Sequence, residues 1–250
     1  MITYRYETIG STNTEALRRL GELPSLCVLS ARDQTAGRGQ RGNTWFTEPG
    51  KNLTFSIVVK FGRDGIPELA AKDSMWLNYL MSYVVFLFLN AHGADCSVKW
   101  PNDIYVGRRK ICGMLIENTL EREYLDTAVI GVGININQKE FPQLANATSL
   151  GLVTGEEFGL EECLEEVCRI FEERLPWIFS ACGRRELFSG YSGLLFQKGV
   201  SARYHDYPEN REYRGIIQGV GADGRLCIQD LDTPGSPFRH YRFKEIGYIL

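Results

Sequence analysis

The 250-residue chain lacks several features that would settle its class at once. Its seven cysteines, Cys27, Cys96, Cys112, Cys163, Cys168, Cys182 and Cys227, form no C-x-x-C pair, and their number is odd. Neither a zinc site nor a disulfide framework is suggested, and a reducing compartment with cysteine as a small apolar residue fits best. There is no basic excess, since the formal net charge is −3. Nucleic acid is therefore not expected as the main partner. No apolar run is long enough to cross a bilayer. The most apolar stretch, Leu77–Leu89, contains Asn78 and Ser82 and falls short of the ~20 residues a span needs, so it reads as a buried helix. Ile2-Thr3-Tyr4-Arg5-Tyr6 is too polar for a signal peptide, and without one the N-x-T sequons at Asn52 and Asn146 carry no meaning. Internal repeats and low-complexity segments are also missing. The expectation is a cytoplasmic protein with no membrane and no nucleic-acid partner.

What is present is an ordinary globular composition, 44% hydrophobic and 24% charged, with length for one domain of usual size and a small second one. Thr12 and Glu15 fit a capping box ahead of Ala16, Leu17 and Leu20, with Gly21 as the stop. Ser25–Ala31 reads as a strand. In Asn52–Lys60, Leu53, Phe55, Ile57 and Val59 alternate with polar residues, which predicts a half-buried strand. Ile66–His92 reads as a long buried helix ended by Gly93. Thr127–Ile136 is a strand whose Gly131 and Gly133 suggest close approach by a ligand or another backbone. Gly155–Gly183 is an amphipathic helix with Leu160, Leu164, Val167, Phe171 and Leu175 as its stripe, divided at Pro176, its acidic face solvated. Arg184–Gln197 is a further short helix. Beyond Gly199 the short segments Val200–Tyr204, Arg211–Val220, Arg225–Gln229, Phe238–Phe243 and Ile246–Ile249 predict a small barrel. The boundary is placed near residue 198, giving domains 1–198 and 199–250.

The most informative stretch is Lys99–Glu117, KWPNDIYVGRRKICGMLIE. It reads as strand, turn, strand, reversal, strand, with Pro101-Asn102-Asp103 supplying turn chemistry. Asn102, Asp103 and Lys110 then lie near one sheet edge, two groups able to bind metal or nucleotide and one cation. A plain turn and a solvated hairpin lysine would produce the same pattern. The loop Gln34–Asn43 combines Gly37, Gly39 and Gly42 with Arg38 and Arg41. Its glycines let backbone N–H groups approach a phosphate, and an arginine can fork onto it. It lacks the G-K-[ST] ending of a Walker loop. A flexible surface turn and an RGG-like RNA contact are the competing readings. Ser11 and Thr12 either cap their helix or present its free N–H groups to a polar ligand.

KWPND, with Lys110 eleven residues after Lys99 in the form R-K-x-x-G-x-L-x-E, closely resembles the central motif of biotin–protein ligases. GRGQRGNTW at Gly37–Trp45 resembles the family's adenylate loop, Ser11-Thr12-Asn13 its biotin edge, and GVGININ at Gly131–Asn137 a later core strand. The resemblance implies an α+β fold: a mixed central β-sheet with flanking helices, related to class II synthetases, plus a small C-terminal SH3-like β-barrel, whose terminal strand motif Lys244-Glu245-Ile246 loosely matches. It implies that biotin carboxylate attacks the α-phosphate of ATP, giving biotinyl-adenylate and pyrophosphate. A lysine of a biotin carboxyl carrier domain of a biotin-dependent carboxylase then takes the biotinyl group and AMP leaves. Mg²⁺ would ride on the ATP phosphates with no dedicated protein site, Asp103 being the one candidate ligand.

By the same resemblance Lys110 and Arg38 are the catalytic residues. Ser11, Thr12, Asn13, Gln34, Gly37, Arg38, Lys110 and Gly113 would bind biotin. Arg38, Gly39, Gln40, Arg41, Trp45, Asn102, Asp103, Lys110, Gly131 and Asn135 would bind ATP or the adenylate. Gln40 and Asn43 stand where some relatives carry arginine, which removes two positive charges and predicts weaker adenylate retention. Some relatives have an N-terminal helix-turn-helix. Here the Ser11 motif arrives after ten residues, so no direct DNA-binding role is expected. The alternatives are a lipoate or octanoate ligase or transferase on the related fold, an RNA-binding module, and a biotin-responsive scaffold without catalysis. An exposed strand, Asn52–Lys60 or the edge of the central motif, could pair two subunits or the acceptor domain by strand addition.

Overall fold

A computed structural model describes every residue except Gln143, Ala145, Ala222 and Leu250, and of Arg41 the backbone alone. In chain order the elements of the first part are β1 (Ile2–Ile9), α1 (Thr12–Arg18), β2 (Cys27–Gln34), β3 (Leu53–Lys60), α2 (Met75–Ala91), β4 (Cys96–Lys99), β5 (Asp103–Val106), β6 (Arg109–Glu121), β7 (Tyr124–Ile134), α3 (Leu150–Thr154), α4 (Leu160–Arg174) and α5 (Ala181–Gly193). There follow β8 (Ser201–Asp206), β9 (Arg211–Val220), β10 (Leu226–Asp230), β11 (Phe238–Tyr241) and β12 (Ile246–Ile249). Seven strands form a mixed sheet in the order β1-β2-β3-β7-β6-β5-β4. Only β1 and β2 run parallel, because α1 carries the chain across between them. The α+β architecture with flanking helices is as expected.

Strand β3 departs from expectation. Every residue from Leu53 to Val59 is buried, on both faces. Phe55, Ile57 and Val59 join the large core with α2, α4 and α5, while Val58 joins a smaller core under α1. The polar residues are buried with partners: Thr54 donates to the Ala31 carbonyl at 2.7 Å, and Ser56 reaches α1. A strand paired on both sides has no edge to offer, so β3 cannot pair two subunits. The outer edge of β4 is also covered, since Val98 exchanges backbone bonds with Leu194 and Phe196 at 2.7 and 2.9 Å.

Helix α1 starts as predicted, but the capping box is not formed. Ser11 is the N-cap without a side-chain cap bond, and Glu15 pairs with Arg18 instead. The Thr12 N–H is satisfied from outside the helix, by Gln34. α2 begins at Met75, later than Ile66, because the preceding backbone bonds elsewhere: Leu125 donates to Leu69 O at 2.8 Å and Ala71 to Glu123 O at 2.7 Å, tying this segment to β7. The stretch Ala71–Ala91 is long and apolar enough to cross a membrane by length and composition, yet half of it is buried inside this fold. Pro176 divides the next helical region as expected, at a 3₁₀ turn Leu175–Phe179 between α4 and α5. The acidic face of α4 is not merely solvated: Glu172 pairs with the N-terminal amine at 3.0 Å, Glu166 with His92 at 2.9 Å, and Glu161 with Arg5.

The C-terminal strands form a second, antiparallel sheet in the order β11-β10-β9-β8-β12, consistent with an SH3-like unit. Among the described residues its outer strands do not pair with each other, so the ring is open. Its interior is polar as well as aromatic. Tyr213 donates to Tyr241 and Tyr241 to Asp206, both at 2.8 Å, while the fully buried Asp230 accepts from Arg239 at 2.8 Å and from Arg211.

Candidate functional site

A cavity of about 370 Å³ lies on the α1 face of the first sheet and is walled at one end by β12 and its preceding turn. Its first end is neutral. Ser11, Thr12 and Asn13 begin α1 and are almost fully buried. The Thr12 N–H donates to Gln34 Oε1 at 2.8 Å. Ser56 Oγ, reaching up from β3, lies 2.7 Å from Thr12 Oγ1 and 2.6 Å from Asn13 Oδ1. Each hydroxyl has one proton, so the arrangement that satisfies all three runs from Thr12 to Ser56 to Asn13. Asn13 Nδ2 then donates to Leu115 O at 3.1 Å and to Glu117 Oε2 at 2.9 Å.

The glycines beneath explain themselves. A Cβ on Gly131 would stand 2.2 Å from Asn13 Oδ1, and one on Gly133 would stand 2.3 Å from the Trp45 indole. The close approach that these strand glycines allow is by side chains, not by another backbone. The Trp45 ring also covers Gly113, and its Nε1 is buried without a hydrogen-bond partner. Lys110 Nζ sits 5.6 Å from the Trp45 ring centroid, near enough for a cation–π contact.

The other end is charged. Lys110 Nζ pairs with Asp103 Oδ1 at 2.7 Å, across the hairpin formed by β5 and β6. Asn102 is buried and donates to Met114 O at 2.6 Å, so it fastens the Pro101–Asp103 turn to β6. Arg38 forks onto Glu117 at 2.8 and 3.0 Å, the same carboxylate that accepts from Asn13. Lys99 lies over the rings of Tyr105 and Tyr248, at 5.0 and 5.1 Å from their centroids. Burial lowers its pKa, with Lys110 acting in the same direction and Asp103 against it. Asp103 is the one carboxylate among the described lining residues, and no cluster of three His, Cys, Asp or Glu side chains exists among the described residues. The buried cysteine thiols are pushed up by burial, Cys27 to about 11 and Cys96 to about 12, which suits packing rather than nucleophilic chemistry.

The structure brings Ser11, Thr12, Asn13, Gln34, Arg38, Gly39, Gln40, Trp45, Asn102, Asp103, Lys110, Gly113 and Gly131 to this one cavity. Gly37 does not line it. Its carbonyl accepts from Trp45 N at 2.9 Å, and a Cβ there would collide with Trp45 O. Asn135 does not line it either: its Nδ2 donates to Thr148 O at 2.9 Å and holds the neighbouring turn. The Arg41 side chain lies outside the described residues, its backbone forming part of the 3₁₀ turn Gln40–Gly42. Gln40 Nε2 donates to Met114 O at 3.4 Å, a neutral contact. Sequence reasoning missed four residues. Lys99 and Glu117 open and close the central motif, so their presence was visible but not their use. Ser56 was hidden in an alternating strand, and Tyr248 in a C-terminal one.

Residues 6–135 match the biotin/lipoate A/B protein ligase family. The bifunctional ligase/repressor BirA of Salmonella typhimurium is 35% identical over 229 residues, 88% of this chain and 67% of its own length. The biotin–[acetyl-CoA-carboxylase] ligase of Mycobacterium tuberculosis is 25% identical over 228 residues, 88% of this chain and 80% of its own. Among solved structures, the biotin protein ligase of Aquifex aeolicus in complex with biotin and ATP superposes with a TM-score of 0.75 at 22% identity, covering 98% of this chain and 97% of its own. That last likeness concerns the fold, whereas the first two concern sequence. Half of this chain matches the family directly and a relative aligns with it almost end to end, so the chain belongs to the biotin/lipoate A/B protein ligase family.

Proposed function

We propose that the protein is an ATP-dependent ligase that activates biotin as biotinyl-5′-AMP and transfers it to a lysine of a biotin carboxyl carrier domain. The observation that carries this reading is a single cavity with a neutral, prearranged hydrogen-bonding end and a cationic one. A cyclic urea presents one acceptor and two donors, which suits the Ser11, Thr12, Asn13 and Gln34 end. A carboxylate at the far end of an aliphatic chain then reaches Lys110. The named relatives support the reading, one of them a biotin–[acetyl-CoA-carboxylase] ligase.

In the first step a carboxylate oxygen of biotin bonds to the α-phosphorus, and pyrophosphate leaves with the electron pair of the broken P–O bond. Charge accumulates on phosphate oxygens, and fixed cations lower that barrier because they need not reorganise. Lys110 exchanges Asp103 for the substrate oxygens. Arg38 exchanges Glu117 for the phosphate. The nucleotide base packs against Trp45, a reading supported by its buried, unpartnered Nε1 and by its ring over Gly133. Mg²⁺ supplies charge neutralisation on the polyphosphate when bound, and Asp103 is the wall carboxylate able to meet it. In the second step the acceptor ε-amine attacks the acyl carbon and AMP departs. Residues 1–198 supply the reacting cations and the head-group end, and 199–250 close the cavity, in the cytoplasm.

Lipoate or octanoate fits this cavity less well. Their chains end in a dithiolane ring or a methyl group, which would leave the Ser56–Thr12–Asn13 end facing no polar partner. The test is transfer to a recombinant carrier domain with MgATP, read by streptavidin blot for biotin and by mass for the other acids. ATP-dependent biotinylation of the acceptor lysine is expected. Labelling by lipoate or octanoate in preference to biotin would move the assignment to that branch.

A further inference from the structure

Among the described residues four cations line the cavity, Arg38, Lys99, Lys110 and Lys244. Lys244 lies over Phe243 at the second sheet, and the other three, on the first sheet and its loop, are held in different ways. Arg38 rests on Glu117 and Lys110 on Asp103. Lys99, half-buried at the end of β4, has no carboxylate within ion-pair distance among the described residues. Its Nζ instead donates to Tyr105 Oη at 3.2 Å and is bracketed by the faces of Tyr105 and Tyr248. An ammonium group taken from water requires compensation, and two π faces with one neutral hydroxyl supply part of it. The missing component is an anion.

The place of Lys99 says which one. Asp103 lies opposite it in the β4–β5 register and pairs with Lys110 on its other side. Reading along the wall from Trp45, the order is Lys110, Asp103, Lys99 and then Tyr248 of the second sheet. A nucleotide with its base near Trp45 and its α-phosphate at Lys110 extends its remaining phosphates toward Lys99. Resting on the ligase reading, we propose that Lys99 binds the β- and γ-phosphates of ATP and the departing pyrophosphate, and that Tyr248 positions it. The bond formed is carboxylate oxygen to α-phosphorus and the bond broken is α-phosphorus to the β-bridging oxygen. The electron pair stays with pyrophosphate, beside the Lys99 charge, and no other reactant enters. The second sheet thereby contributes to the first half-reaction by holding a lysine, and takes no part in the second.

The test separates the halves. Biotin-dependent exchange of labelled pyrophosphate into ATP reads the first, and transfer from synthetic biotinyl-adenylate to the carrier domain reads the second. For Lys99→Met, exchange is expected to fall about 100-fold with a raised KM for ATP, while transfer from the adenylate changes less than about threefold. Lys99→Arg, which keeps charge and stacking, is expected to recover much of the exchange. Lys99→Gln, able to keep Tyr105 partnered, replaces the methionine variant should that one fail to fold. Equal losses in both halves would make Lys99 a structural residue and overturn the assignment, as would exchange at the unaltered rate. Absence of biotin-dependent exchange in the unaltered protein would overturn the ligase reading and this assignment with it.

Discussion

The two ends of the cavity solve opposite problems. At the neutral end Thr12, Asn13 and Ser56 are 3%, 3% and 0% exposed, and their hydrogen bonds close on one another. At the charged end the Arg38 and Lys110 side chains are 45% and 31% exposed, each on a carboxylate that is itself partly open to water. A buried polar network is stiff, because any group left unpaired there is costly. An ion pair near water is weak, roughly 0–1 kcal/mol, and easily exchanged. The neutral end is thus arranged before any ligand arrives. The cations are parked on partners they can leave. The difference teaches where substitutions should act: rigidly at one end, through charge exchange at the other.

The sharpest separation comes from Lys110. Lys110→Ala should lower adenylation by roughly 10²–10³-fold, the usual loss when one fixed charge-stabilising group goes. Biotin affinity, measured by calorimetry without ATP, should change only severalfold. Equal losses in both would show that Lys110 belongs to head-group binding and would erase the contrast between the ends. A paired test lies in the strand β7. Gly131→Ala drives a methyl into the Asn13 side chain and Gly133→Ala drives one into Trp45. Overpacking of this kind costs roughly 1–3 kcal/mol. The first variant should lose mainly biotin affinity and the second mainly ATP affinity. Loss of the same ligand in both would show that the ends are not independent.

Much of this was legible beforehand because local chemistry and global fold agree. The Pro101-Asn102-Asp103 turn, the Gly107 reversal and the Gly93 stop are written in residues with few other uses. The four motifs, with Gln34 just ahead of the second, named thirteen of the residues that line the cavity. Alternation could not reveal that β3 is covered on both faces, because burial on the polar face depends on α1 arriving there from another part of the chain. Nor could spacing show that Arg38 rests on Glu117, 79 positions away, or that Tyr248 reaches Lys99 across two sheets. Asn135 carried a motif position but serves the turn at Thr148. These are long-range facts, fixed by packing rather than by neighbours in sequence.

Ser56 tests whether the neutral end is as stiff as its burial suggests. Ser56→Ala removes the hydroxyl that joins Thr12 to Asn13 and leaves Asn13 Oδ1 buried beside a methyl group. An unsatisfied buried acceptor costs roughly 1–3 kcal/mol. Both the melting temperature and biotin affinity should fall, with ATP affinity unchanged. A Ser56→Ala variant with unaltered biotin affinity would mean that the head group does not read this network at all.

Glu117 is the smallest effect and the most discriminating, because it touches both ends. Its carboxylate accepts from Asn13 Nδ2 and from both terminal nitrogens of Arg38. Glu117→Gln keeps an acceptor for Asn13 but removes the charge that holds Arg38. The biotin end should therefore stay intact. Arg38 would leave more easily for phosphate, so the KM for ATP should fall slightly, by less than about tenfold given the ~0–1 kcal/mol of such a pair. The gap between variant and unaltered protein should narrow at high ionic strength, where screening weakens the pair in the parent as well. A KM that rises instead would mean that Glu117 holds Arg38 in its working position rather than in a resting one. The charged end would then be as preset as the neutral one, and the contrast between them would reduce to burial alone.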